Sequence, residues 1–197
     1  MIHHSRRGIP LLWLLALLLT ACGGTAATRT PIAITASAIA ATAMPTVAAV
    51  GGVSATVSVG GGVETPLNLG LADVRAFPPI TLNAETRTRQ GSQGSHSYTG
   101  ALLKDVLDKA KPRTDPNRKN DLLSVYITAV GSDGYRATVA YGEIDPDFGA
   151  QQIIVAYEMD GKPLDKDGVA ELVVPGDKLA GRWVKNLVSI TVGIPAR

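Results

Sequence analysis

Thiol and imidazole are scarce in this chain: its 197 residues hold one cysteine, Cys22, and three histidines, His3, His4 and His96. A lone thiol excludes an internal disulfide, a Cys-x-x-Cys redox pair and any multi-cysteine metal site. With His3 and His4 ahead of the first apolar run, His96 is the only imidazole left for a Ser/His/Asp triad or a histidine-rich zinc site, so most familiar catalytic constellations fall by counting. Charge is missing from the first 57 residues apart from Arg6, Arg7 and Arg29. Nor is there a basic excess: taking Arg6 and Arg7 from the 19 Lys+Arg leaves 17 against 17 Asp+Glu. A nucleic-acid footprint is therefore absent, and no nucleic acid is expected among the partners.

Residues 1–22 combine the basic pair Arg6-Arg7, an apolar run from Ile9 to Leu19 that is too short to span a membrane as a helix, and small residues ahead of Cys22. That order is an export signal. Its end, Leu19-Thr20-Ala21-Cys22-Gly23, resembles the bacterial lipoprotein signal. The resemblance implies removal of residues 1–21 and a diacylglyceryl group on Cys22, hence a protein anchored to the extracytoplasmic side of a bacterial membrane in the cell envelope. Ser5-Arg6-Arg7-Gly8-Ile9 is also faintly similar to a twin-arginine signal, although paired arginines are commonplace in basic leaders. Residues 22–54 are rich in Ala and Thr and contain neither carboxylates nor aromatics, so they read as a disordered tether with a mean reach of about 30 Å. The folded domain is read as residues 55–197.

Within that domain, Ala55–Val63 alternates as a strand, Leu69–Phe77 places Leu71, Val74 and Phe77 at helical spacing before Pro78-Pro79, and Ile80–Thr88 reads as a strand. The clearest helix spans about 101–110, where Leu102, Leu103, Val106 and Leu107 share a face. Ser124–Tyr141 is a β-hairpin around Asp133-Gly134, taken as the centre of the domain, with Val125, Ile127 and Ala129 pointing one way and Tyr135, Ala137, Val139 and Tyr141 one way on the return strand. Ile153–Ala156 is apolar throughout, which predicts burial on both faces. Strands outnumber helices without strand–helix–strand repetition, so the expected class is α+β with a mostly antiparallel β core.

Several segments in series resemble the molybdopterin-binding domain of the sulfite oxidase family: Leu71 to Pro78, Tyr98 to Leu107, Ser132 to Tyr135, Val155 to Leu164, Leu172 to Gly176 and Trp183 to Leu187. The resemblance implies that family's domain fold and a pocket for a phosphate-bearing pterin. In catalytic members it also implies a cysteine thiolate on molybdenum, from the segment after the strand that is here Ile80–Thr88. Two departures stand out. That segment, Arg87 to His96, contains no thiol, and serine hydroxyls stay protonated where an ionised soft ligand is wanted. Glu171 stands where many members place an arginine, and a carboxylate repels a phosphate.

By resemblance, the residues that would approach a cofactor are Arg87, Arg89, His96, Tyr98, Arg182 and Lys185. The residues themselves predict no catalytic group, no metal site and no cofactor; molybdopterin enters through the resemblance alone. Two function classes remain open. One is a non-catalytic lipoprotein that binds a small ligand or an envelope protein; the other is a molybdopterin-dependent oxidoreductase with altered metal ligation.

Overall fold

Alternating apolar residues build most of the domain, and the sheets they form decide where the helices begin and end. The computed structural model describes residues 51–196, so Cys22 and the stretches read as a signal and a tether, up to Val50, lie outside the described residues. The first half of the chain runs β1 (Val57–Gly61), β2 (Leu67–Leu69), α1 (Leu71–Arg75), β3 (Pro79–Thr88), β4 (Gly91–Leu102) and α2 (Leu103–Ala110). The second half runs β5 (Tyr126–Gly131), β6 (Arg136–Ala140), α3 (Tyr141–Ile144), β7 (Ile154–Met159), β8 (Lys162–Pro163), β9 (Glu171–Val173) and β10 (Leu187–Gly193).

Two sheets result. One has the order β2-β1-β10-β5-β6, and the other runs β3-β4-β7-β8 with β9 also paired to β7. Among the described strand pairs only β1–β10 is parallel, with Val59 opposite Ile190; the rest are antiparallel, as the α+β reading expected. Both sheets feed one cluster, in which Leu103, Leu107, Ile127, Ile153, Ile154, Leu172, Leu187 and Ile190 are fully buried. The continuous run Ile153–Ala156 is buried throughout, as its composition predicted.

Three sequence expectations are corrected. The hairpin β5–β6 is not the centre of the domain: β10 is the middle strand of its sheet and β6 is an edge, because the amino-terminal strand β1 pairs in parallel with the far side of β10 while β5 takes its near side. The turn itself forms as expected, with Gly134 at φ 83° and Tyr135 N–H donating to Asp133 Oδ1 at 2.8 Å. That bond turns Tyr135 outward, 47% exposed, rather than onto the buried face of Ala137 and Val139. Finally, Gly91–Leu102 is a twelve-residue strand, and α2 starts at Leu103 instead of Ala101. Ala101 and Leu102 suit either state, but the ladder to Val155 and Ile154 claims them, and Leu103 N–H then donates to Ile153 O at 2.9 Å. From there α2 buries Leu103, Val106, Leu107 and Ala110, and Lys111 closes it in the left-handed conformation, φ 56°.

The chain enters the domain through a clamp. Asn186 accepts from Ser54 N–H through Oδ1 at 2.7 Å, and its Nδ2 donates to Gly52 O at 2.7 Å and to Ser132 Oγ at 2.5 Å. Val169 N–H donates to Ser54 O at 3.1 Å. Gly168, at φ 79°, lies so close that a Cβ would collide with Asn186 Oδ1 and Ser54 Oγ. The hydrogen bonds of the domain thus begin upstream of Ala55. A chain beginning at Ala55 loses three of them and is expected to be about 3 kcal/mol less stable than one beginning at Gly51, at roughly 1 kcal/mol for each net hydrogen bond. Urea midpoints of the two chains measure the difference, and equal midpoints would show the clamp to be idle.

Candidate functional site

The hairpin β3–β4 and the segment 167–185 meet along an aromatic ladder. Alternation puts His96 and Tyr98 on the same side of β4, opposite Ala84 and Leu82 of β3. His96 stands edge-on to Tyr98 at 6.3 Å between ring centroids, and Tyr98 stands edge-on to Trp183 at 5.4 Å and 90°. Trp183 is buried and donates its indole N–H to Val174 O at 2.9 Å. Tyr98 is buried too, with its hydroxyl 3.3 Å from Thr86 Oγ1; burial raises its phenol above the ordinary value, against the Thr86 hydrogen bond.

At the outer end of the ladder His96 Nδ1 meets Asp160 Oδ2 at 2.7 Å, while Ser97 N–H donates to Asp160 Oδ1 at 2.9 Å. Those two hydrogen bonds hold the Asp160 carboxyl below the usual aspartate range. At the inner end sits Glu171 on β9, 1% exposed, with Oε1 lacking any hydrogen-bond partner among the described residues. Burial pushes its carboxyl up to about 7, the Lys185 ammonium pulls it down and the Asp167 carboxylate pushes it up again. Lys185 Nζ lies 3.3 Å from Asp167 Oδ2. Partial burial lowers that ammonium, but the carboxylates of Glu171 and Asp167 outweigh it and leave Lys185 above the ordinary lysine value.

Arg182 occupies a 3-10 turn, Ala180–Arg182, and is wholly engaged. It makes a fork to Asp177 (Nε–Oδ2 2.8 Å, Nη2–Oδ1 2.7 Å) and a second to Glu143 (Nη1–Oε2 and Nη2–Oε2, both 3.0 Å). The hydrogen bond from Arg182 holds Asp177 below its ordinary value. Arg182 Nη1 also reaches Thr138 O at 3.4 Å, and Glu143 Oε1 accepts from Ala140 N–H at 2.8 Å. Two outward backbone groups of the edge strand β6 are therefore met by side chains.

Of the residues suggested by sequence, the fold brings His96, Tyr98 and Lys185 around the Trp183–Glu171 corner. Arg182 is set apart in its own carboxylate cage. Arg87 lies at the hairpin tip with Nη2 3.0 Å from Glu85 Oε2, and Arg89 is exposed in the turn that follows. A cleft of about 610 Å³ opens beside that tip, lined by Glu85, Arg87, Pro175, Asp177, Lys178 and Leu179. Sequence reasoning missed the acidic half of this arrangement: Glu143, Asp160, Asp167 and Asp177 lie in loops or a one-turn helix, and nothing in their spacing announces a cation opposite. The equality of 17 acids and 17 bases after the leader was the one available signal.

A family model described as oxidoreductase molybdopterin binding domain matches residues 44–194. Among solved structures, sulfane dehydrogenase SoxCD from Paracoccus pantotrophus is similar in fold, with TM-score 0.57 and 23% identity over 72% of this chain. The match spans 38% of that longer chain. No curated protein matches.

Proposed function

Since this chain belongs to the family of oxidoreductase molybdopterin-binding domains, we propose that it is a membrane-anchored, extracytoplasmic member that keeps the fold but binds a small ligand or a partner protein instead of carrying out molybdenum redox chemistry. The observation that carries this reading is the commitment of three of its four candidate cations, Arg89 being exposed at the hairpin turn. Arg87 holds Glu85, Arg182 holds Asp177 and Glu143, and Lys185 holds Asp167. A pterin phosphate would have to displace carboxylates of the chain's own making, which already satisfy these cations with charge-assisted hydrogen bonds.

Glu171 adds to the misfit above about pH 7, where its buried carboxyl ionises and would set a second negative charge against a phosphate. The donor set for the metal is wanting as well. Residues 23–197 contain no thiol, and the hairpin segment that would supply one offers Ser92, Ser95 and His96. The residues present do not fit the cofactor, and no chemical step is assigned to it. The cleft beside Arg87 and Lys178, with both signs of charge and the apolar Pro175 and Leu179, suits a small polar ligand.

Protein made in a host competent for molybdenum cofactor synthesis is expected to carry far less than one molybdenum per chain by elemental analysis. Stoichiometric metal would overturn the reading in favour of an enzyme with altered ligation. The anchor is checked separately: intact mass of the membrane fraction should show loss of the first 21 residues and gain of acyl mass on Cys22. A soluble product with an unmodified thiol would end that part.

A further inference from the structure

The charges of the domain are unevenly placed. Leaving out Arg6, Arg7, Arg29 and Arg197, the described residues hold 15 of the 19 Lys+Arg and all 17 Asp+Glu. Five of those cations, Lys109, Lys111, Arg113, Arg118 and Lys119, fall in eleven consecutive residues that contain one carboxylate, Asp115. The rest of the domain is left with 10 cations against 16 acids, so this segment is basic and the remainder of the domain is acidic in net charge.

The basic segment is exposed at all five cations, and its acids are turned inward. Asp115 Oδ1 accepts from Asn117 N–H at 3.0 Å and from Asn117 Nδ2 at 3.2 Å. Asp121, 8% exposed, accepts from Asp115 N–H at 2.7 Å and lies 3.8 Å from Arg118 Nε. Among the described residues Lys109, Lys111, Arg113 and Lys119 make no salt bridge, and the neighbouring Asp108 is held by Lys104.

The backbone under the patch is fixed. Arg113 N–H donates to Gly62 O at 2.9 Å, Glu64 N–H to Lys111 O at 2.8 Å and Thr65 N–H to Ala110 O at 3.0 Å. Lys109 Nζ sits 5.0 Å over the Phe77 ring. Cations presented on a rigid base, with their neutralising carboxylates facing inward, present a surface complementary to a sheet of negative charge.

We propose that the Lys109–Lys119 surface docks on anionic lipid headgroups and orients the tethered domain against the membrane. The proposal rests on the reading of Cys22 as the lipid anchor. An anchored domain has already lost most of its translational freedom and stays within a tether length of about 30 Å, so a weak multivalent attraction is enough to fix its face. Charges on the two surfaces attract within a Debye length, which makes the contact sensitive to salt.

The test uses the full chain purified from membranes and reconstituted into vesicles of phosphatidylcholine alone or with phosphatidylglycerol. A membrane-impermeant amine reagent is applied, and labelling of Lys109, Lys111 and Lys119 is read by peptide mapping against Lys162 and Lys166. On anionic vesicles the three lysines should label about threefold more slowly than on neutral ones, and about 0.5 M salt should restore the rate. Lys111→Glu with Arg113→Glu should abolish the difference without moving the unfolding midpoint. Flotation with both vesicle types and equal labelling on each sinks the docking surface alone. Flotation with neither sinks the anchor and the surface together. Protection that appears only in native membranes rich in protein overturns the lipid proposal in favour of a protein partner.

Discussion

Glu171→Gln is expected to stabilise the domain at pH 8 by about 3 kcal/mol more than it does at pH 4, because the wild-type carboxyl titrates in the fold near 7 instead of at 4.5. Below pH 4.5 the group is neutral in both states and the substitution removes little. Between 4.5 and 7 the unfolded chain sheds its proton while the folded one keeps it, so wild-type stability falls as pH rises and levels off above 7. Glutamine carries no such slope. A difference of this size corresponds to roughly 10 °C in melting temperature at pH 8 for a domain of this length. Melting curves of both proteins at a series of pH values decide it; parallel curves would mean that the carboxyl finds a compensating cation when ionised, and Lys185 is the one placed to supply it.

Arg182→Ala should cost about 1–2 kcal/mol, the scale of breaking a well-formed but partly exposed ion cluster, since Glu143 and Asp177 would be left facing each other without their shared cation. A second consequence distinguishes this arginine from an ordinary structural one. Its removal frees Thr138 O on the edge strand β6 and loosens Glu143, which holds Ala140 N–H, so the variant should associate at concentrations where the wild type is monodisperse. Arg182→Lys keeps the charge but cannot make two forks, and it should fall between the two in urea midpoint. Light scattering alongside urea titration reads both effects, and an alanine variant as stable and dispersed as the wild type would refute the assignment.

Where a segment's fate is decided by its own residues, the sequence is a good guide. Asp133-Gly134 makes its turn, Ile153–Ala156 is buried, and the alternation of Val125, Ile127 and Ala129 puts all three inside. What was illegible is non-local. Gly91–Leu102, with its glycines, serines and glutamine, has almost no intrinsic strand preference and becomes the longest strand described because β3 and β7 flank it. The centrality of β10 depends on a parallel partner more than 120 residues earlier, which no period reveals. The same holds for the site. Glu171 was visible as a misplaced charge, but that it is buried beside Lys185 and Asp167 follows only from the pairing of β9 with β7 and of Leu172 with Val184.

The clamp at Asn186 also fixes how the molecule bears load. A pull applied from the amino-terminal side enters at Gly52, is taken up by the Asn186 amide and the Val169 N–H, and then runs along β1 into its parallel neighbour at the middle of the sheet. Force applied along a strand stretches its ladder bonds together rather than one after another, as it would if the strand were peeled from its end. Single-molecule extension from the amino-terminal side should therefore give a high rupture force that drops sharply in Asn186→Ala, with β1 remaining attached until the domain gives way as a whole.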